Sequence, residues 1–232
     1  MCSVTLSMLT LIALVIFHKG LSQLLDENCI DQGGSASWMA RIYSTMGFVC
    51  SGTLVHKRFV LTAAHCVKGQ KTLYVNLGMA SYYVHTVSIH RNFNDTTNDI
   101  AMLKLNNEVI FKTNNRPICV VLDDEVISAA IPIFSAYGWN ESVSGSGSQP
   151  ILQSLYVTQK NENESQHGRT QILITGRSVD SGSPLTATLN YRGKIIIAQF
   201  GIMSYGHDPS VYTDVTSFKT WISSRIKASE QN

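Results

Sequence analysis

Leu61-Thr62-Ala63-Ala64-His65-Cys66 closes a short apolar run by setting an imidazole beside a cysteine. Ala63 and Ala64 leave room for the backbone to turn tightly off a strand, and a disulfide at Cys66 would hold the imidazole in place. Two further strings set a reactive side chain among small or apolar neighbours. In Asn98-Asp99-Ile100-Ala101-Met102-Leu103 a carboxylate opens an apolar strand, where lost water must be replaced by hydrogen bonds or a cation. In Asp180-Ser181-Gly182-Ser183-Pro184-Leu185 a serine stands on an Asp-Ser-Gly turn that can present its hydroxyl outward. Taken singly, each string has an ordinary explanation as local structure or turn chemistry. Together they form a chemical set. A serine hydroxyl is a weak nucleophile at neutral pH unless a base takes its proton, and the base needs an acceptor to fix its tautomer. The chain offers His65, Asp99 and Ser181 for these tasks, in that order.

Outward from these strings the sequence reads as a dozen short apolar runs broken by turn residues: 40–43, 48–55, 59–62, 72–77, 82–89, 100–105, 131–137, 152–157, 171–175, 185–189, 195–204 and 211–214. That pattern predicts an all-β sandwich or barrel architecture. The one convincing helix is the last segment, with Ser217 as its cap and Phe218, Trp221, Ile222 and Ile226 on one face, packing as a lid on a barrel. Gly/Ser-rich 144–148 reads as an exposed loop and a boundary between two β halves. No internal sequence repeat is visible. A length of 232 residues with 44% hydrophobic residues suits one globular domain. Only 15% of residues are charged, and 18 Lys+Arg against 16 Asp+Glu leave a net charge of +2, which argues against nucleic acid held on a basic face.

The first apolar run, 4–17, is too short to span a bilayer and reads as a signal peptide, with Gly20 and Ser22 at the positions a signal peptidase recognises. Residues 1–22 are therefore expected to be removed. No later segment is long and apolar enough to cross a membrane, so the product is expected to be secreted and extracellular. Of five cysteines, Cys2 leaves with the signal, and Cys29, Cys50, Cys66 and Cys119 form an even set in an oxidising compartment, open to three pairings. No C-x-x-C spacing suggests zinc. Sequons at Asn94, Asn140 and Asn163 fit a glycosylated surface. His85 and His90, five apart, and His207 beside Asp208 form no metal motif and read as surface histidines, so neither a metal nor another cofactor is expected.

The three strings, with Ser37-Trp38-Met39, Cys50-Ser51-Gly52-Thr53-Leu54, Pro117-Ile118-Cys119, Ala136-Tyr137-Gly138-Trp139, 200–206 and Pro209-Ser210-Val211-Tyr212, make the chain from about residue 37 to 226 resemble the chymotrypsin/trypsin-like serine proteases. The resemblance implies two six-stranded antiparallel β-barrels with a C-terminal helix and a site in the crevice between them. It divides the chain into a signal peptide (1–22), a short leader (23–34) and a protease domain (35–232). By the same resemblance His65 is general base then acid, Asp99 orients it, Ser181 attacks the scissile carbonyl, and the backbone N–H groups of Val179 and Ser181 form the oxyanion hole. Ser204, Tyr205 and Gly206 would edge the substrate cleft, Thr175 would lie at the pocket base, and Ser210 would also bind substrate. Cys50 would pair with Cys66 and Cys29 with Cys119, closing loops worth roughly 3 and 4.5 kcal/mol in an entropic model. The implied partners are a peptide or protein substrate and a protein inhibitor, with the enzyme a monomer.

The chain also departs from that family. Where the family has a basic residue before Ile/Val-Val-Gly-Gly, it reads Cys29-Ile30-Asp31-Gln32-Gly33-Gly34-Ser35. Asp180 then has no evident ammonium partner, and because burying an unpaired carboxylate is costly, a zymogen-like arrangement of the surrounding loops is expected. The family's Gly-Asp-Ser-Gly-Gly-Pro has become Val179-Asp180-Ser181-Gly182-Ser183-Pro184, so one oxyanion donor sits on a β-branched residue; losing such a donor costs roughly 100- to 1,000-fold in rate. The pocket region is short and lacks cysteines. The functional expectation is a secreted serine endopeptidase of low activity, with an impaired homologue acting as a binding or regulatory module as the alternative.

Overall fold

A computed structural model describes residues 23–29, 36–113, 115–140, 151–160, 170–176 and 179–230. The signal segment 1–22, the Ile30-to-Ser35 stretch, the 144–148 loop and the Asn163 sequon lie outside the described residues.

The first barrel comprises β1 (Met39–Ser44), β2 (Gly47–His56), β3 (Phe59–Thr62), β4 (Leu73–Leu77), β5 (Ala80–Ile89) and β6 (Ala101–Leu105), closed in the ring order β1-β2-β3-β6-β5-β4. The second comprises β7 (Ile133–Asn140), β8 (Ile151–Gln159), β9 (Gln171–Thr175), β10 (Pro184–Tyr191), β11 (Lys194–Tyr205) and β12 (Ser210–Asp214), closed as β10-β11-β12-β9-β8-β7. Read from its first strand, each ring has the same connectivity. The chain thus holds a topological repeat with no sequence repeat, because alternating burial and turn chemistry can be met by many residue choices.

Closure leaves no free sheet edge and gives each barrel its own core. Ile42, Leu54, Leu61, Val75, Leu77 and Leu103 fill the first, and Phe134, Ile172, Leu185, Ile196, Phe200 and Tyr212 fill the second. The boundary falls in the connection from β6 to β7. It does not fall at 144–148, which joins two strands of the second barrel that pair directly, Asn140 opposite Ile151. The connection bonds to both barrels: the Ile118 N–H donates to the Leu54 carbonyl of β2 (2.9 Å), and the Gln199 N–H of β11 donates to the Cys119 carbonyl (2.9 Å). Leader residues 23–29 lie on the same connection, with the Leu25 N–H donating to the Val120 carbonyl (2.9 Å) and a disulfide joining Cys29 to Cys119.

Among the described residues two α-helices complete the fold, α1 (Ala64–Val67) and α2 (Lys219–Glu230). Ser217 is not the cap of α2. It lies inside a 3-10 turn, Val215–Phe218, which begins one turn earlier because the buried Asp214 carboxylate accepts the Thr216 N–H (2.8 Å). The chain leaves β12 in the second barrel, yet Phe218, Ile222 and Ile226 enter the core of the first.

Candidate active site

Strand register brings the three strings to one place. Thr62, the last residue of β3, pairs with Ala101, the first of β6, so His65 just beyond one and Asp99 just before the other share one end of the first barrel. Pro184, the first residue of β10, pairs with Ile202 of β11, so Ser181 and Ser204 share one end of the second.

Asp99 is the meeting point. Asn98 adopts a positive φ of 52°, a conformation asparagine tolerates better than most residues, and the Ile100 N–H closes a tight turn onto the Asn98 carbonyl (2.9 Å). Asp99 is 2% exposed. Its Oδ2 accepts from His65 Nδ1 (2.6 Å) and from the Ser204 hydroxyl (2.5 Å), and its Oδ1 accepts the His65 backbone N–H (2.9 Å). Ala63 supplies no side-chain cap to α1, so Asp99, 34 residues from His65 in sequence, does so. Burial pushes the Asp99 carboxyl up, but the hydrogen bonds from the His65 ring, Ser204 and the His65 N–H outweigh it and hold the group below its ordinary value. The second barrel also grips the backbone here, with the Thr213 hydroxyl donating to the Asp99 carbonyl (3.0 Å).

Because a carboxylate only accepts, Nδ1 of His65 carries the proton and Nε2 is left as the basic nitrogen. The imidazole is open to solvent on one side. On the other lies the Cys50–Cys66 disulfide, with Cys66 Sγ 3.6 Å from Nε2. One ligand atom from each of Cys50, His65 and Cys66 lies within 4.8 Å of the others. Both sulfurs are bonded to each other, so neither is a thiolate ligand, and the cluster works as a clamp on the histidine turn.

The Ser181 turn is tied to the first barrel by residues around Cys50. The Ser51 N–H donates to the Ser181 carbonyl (2.9 Å), and the Ser51 hydroxyl donates to Asp180 Oδ2 (3.4 Å). The Ser51 carbonyl accepts the Thr62 hydroxyl (2.8 Å) and sits against Gly182, where a Cβ would lie 2.1 Å from it. With φ at +79°, Gly182 is the one residue type that fits. The Ser183 N–H closes the turn onto the Asp180 carbonyl (3.1 Å), and the Gly182 N–H donates to the Met203 carbonyl (2.8 Å). Ser181 is half-buried, and its hydroxyl makes no hydrogen bond among the described residues. Ser183 is fully buried, and its hydroxyl also has no partner there.

Asp180 is held by neutral donors: besides Ser51, the Trp139 N–H donates to its Oδ2 (2.6 Å). Val179 is half-buried, with its Cβ 3.2 Å from where a side chain on Gly138 of β7 would begin, so glycine there makes space for valine here. Ser204 is buried with its hydroxyl spent on Asp99. It is the extra residue where β11 slips register against β12, between Met203 and Tyr205, and such a bulge re-aims a side chain. Tyr205 ends β11 half-buried, and Gly206 follows at φ +88°. Ser210 is buried opposite Ile174, with its hydroxyl directed to the His207 carbonyl (3.4 Å). Thr175 is exposed at the end of β9, paired with Thr158 of β8. Asn94 is exposed, and its Oδ1 accepts the Thr96 N–H and hydroxyl and the Thr97 N–H. His85 is exposed, but His90 is half-buried edge-on against Phe218 and Trp221, so it is not a plain surface histidine. Sequence reasoning missed Ser51, Thr62 and Thr213; the first two sit beside Cys50 and within the histidine string, and adjacency alone could have flagged them.

The trypsin family model matches residues 30–222 of this chain. This chain is a member of the trypsin family. It is 30% identical over 243 residues to serine protease grass of Drosophila melanogaster, covering 81% of this chain and 64% of that protein. The chain thus spans just under two thirds of that relative's length. Among solved structures of the trypsin family, the crystal structure of the Drosophila Grass clip serine protease of the Toll pathway superposes with a TM-score of 0.72 at 26% identity, over 89% of this chain and 73% of that one. Trypsin-family membership makes the chain a serine protease homologue. Among the described residues no helix is long and apolar enough to cross a membrane.

Proposed function

We propose that this protein is a serine endopeptidase that cleaves peptide bonds through an acyl-enzyme. The observation that carries the reading is the 2.6 Å hydrogen bond between the His65 ring and the buried Asp99 carboxylate, beside the turn that presents Ser181. With Nδ1–H held by Asp99, Nε2 takes the Ser181 proton as Oγ attacks the substrate carbonyl, then returns it to the leaving amine. The imidazolium formed is stabilised by Asp99. Asp99 stays ionised because its hydrogen bonds hold its carboxyl low. The N–H groups of Val179 and Ser181 receive the developing oxyanion, and the backbone of Tyr205 and Gly206 pairs with an extended peptide. The free Ser181 hydroxyl accords with catalytic hydrogen bonds that tighten only when substrate binds. We include in this reading an N-terminal signal over 1–22, a leader over 23–34, secretion as a monomer and glycosylation at the sequons.

A second reading, a homologue that holds a partner without cutting, draws on two short links. Eight residues join β9 to β10 and four join β11 to β12, leaving little chain for side walls of a specificity pocket. The test is labelling of the purified full chain with a fluorophosphonate before and after trypsin treatment, with Ser181→Ala as control. Labelling of the parent alone supports the endopeptidase; a parent unlabelled under both conditions supports the binding module.

A further inference from the structure

A cut between Ser22 and Gln23, part of the secretory reading proposed above, frees the α-amine of a glutamine. Such a residue can close on itself. The amine reaches the side-chain Cδ within a small ring, so nucleophile and electrophile are held together by the chain's own bonds. The obstacle is the amide carbonyl, a poor electrophile until something stabilises the charge that develops on its oxygen.

The fold places two donors on that oxygen. Gln23 is half-buried, and its side chain meets the hairpin between β10 and β11, where Tyr191 pairs with Lys194. Gln23 Oε1 accepts the Tyr191 hydroxyl (2.9 Å) and the Arg192 guanidinium. Asp123 fixes both donors, its Oδ2 lying 3.2 Å from the Tyr191 hydroxyl and 3.9 Å from Arg192 Nη2. Arg192 also packs over the Tyr191 ring, 5.4 Å from its centre. The backbone is held as well: the Gln23 carbonyl accepts the Leu122 N–H (2.5 Å), and Leu24 bridges to Val121. None of these groups belongs to the proposed triad.

We propose that Gln23 is converted to a pyroglutamate lactam, with Tyr191 and Arg192 holding the oxygen of the amide under attack. The α-amine nitrogen bonds to Cδ, charge develops on Oε1 between the phenol and the guanidinium, and the bond from Cδ to Nε2 breaks. The proton given up by the amine ends on Nε2, which leaves as ammonia. No water, oxidant or cofactor is consumed. The lactam keeps its carbonyl oxygen for the same two donors and puts no ammonium beside Arg192, so the leader stays docked and offers aminopeptidases no free amine. The proposal rests on the signal cut and is independent of the peptidase activity.

The experiment is mass spectrometry of the N-terminal peptide of the full chain, secreted by cultured cells whose glutaminyl cyclase is inhibited. The parent is compared with Tyr191→Phe/Arg192→Asn, whose fold is checked by circular dichroism; asparagine suits the positive φ of 51° at residue 192. The parent peptide should begin at residue 23, be lighter by one ammonia, and yield to Edman degradation only after pyroglutamyl aminopeptidase. In the double variant the open glutamine should predominate and close about ten-fold or more slowly on incubation. An open Gln23 in the parent would overturn the proposal and leave the signal reading standing. Equal closure in parent and double variant would overturn the assistance by Tyr191 and Arg192. A peptide beginning at any other residue would overturn the cut and the lactam together.

Discussion

Replacing Gly182 by alanine puts a methyl group where the structure has no space for one. The new Cβ would sit 2.1 Å from the Ser51 carbonyl oxygen and 2.5 Å from the Thr62 hydroxyl, on a residue whose φ is +79°. Left-handed backbone costs an L-residue with a side chain roughly 1–2 kcal/mol. The Ser51 carbonyl belongs to β2, where Ser51 pairs with Arg41 of β1, and its neighbouring N–H holds the Ser181 carbonyl, so it cannot retreat without loosening the serine turn. If it moves, the fully buried Thr62 hydroxyl loses its acceptor, a further cost of about 1–3 kcal/mol. The sum is about 2–5 kcal/mol, which in a domain of this size lowers Tm by at least about 4 °C. Differential scanning calorimetry on parent and Gly182→Ala reads the stability, and fluorophosphonate labelling reads the serine turn; both should fall. A variant melting within about 1 °C of the parent with an unchanged labelling rate would falsify the view that this contact joins the Ser181 turn to the first barrel.

Ser204→Ala removes one of the donors that hold Asp99 low, at a cost of about 1.5–3 kcal/mol. Asp99's stabilising contribution is present above the ordinary aspartate value and lost as pH falls through its lower folded value, so the variant's acid unfolding, followed by circular dichroism, should begin at a higher pH than the parent's. Asp214 has the opposite sign: burial raises its carboxyl despite hydrogen bonds from Ser128 and Thr216, so its favourable contribution is lost as pH rises through that raised value. Asp214→Asn keeps an acceptor for Thr216 and should be within about 1 kcal/mol of the parent, or more stable, in urea titrations at neutral pH; a loss above about 3 kcal/mol counts against this account. Ser183→Ala deletes a buried, unpartnered hydroxyl and should raise stability by about 1 kcal/mol, whereas an equal loss would mean that the hydroxyl has a partner.

All twelve strands among the described residues were legible in the sequence, because β-branched and aromatic runs between turn residues need only local information. Their ends were less so. β7 runs on to Asn140, past the predicted 137, because pairing with β8 continues there, and partner strands are chosen by the tertiary fold. Ser217 misled for a similar reason. As a capping residue it was as good a choice as Asp214, but only Asp214, buried at the end of β12, has its carboxylate directed to the Thr216 N–H. The candidate triad was read from three short strings, since each places its reactive group in a recognisable local setting. The groups that position it were not. Ser51, Thr62, Ser204 and Thr213 are unremarkable in isolation, and their roles depend on which strand end faces which.

From the sequence alone came the strand count, the all-β class, the candidate nucleophile, base and acceptor, and an even set of cysteines. The cysteine pairing and the two six-stranded barrels came from the family resemblance and not from the residues' local pattern, and the fold bears both out; that the two barrels share one connectivity required three dimensions. So did the charge balance at the centre. Asp99 and Asp180 look alike in sequence, each an aspartate before a short apolar strand, and in the fold one is held by the His65 ring and Ser204 while the other is held by Trp139 and Ser51. A carboxylate's state is set by the donors within about 3 Å of it, and those donors come from residues up to 105 positions away along the chain.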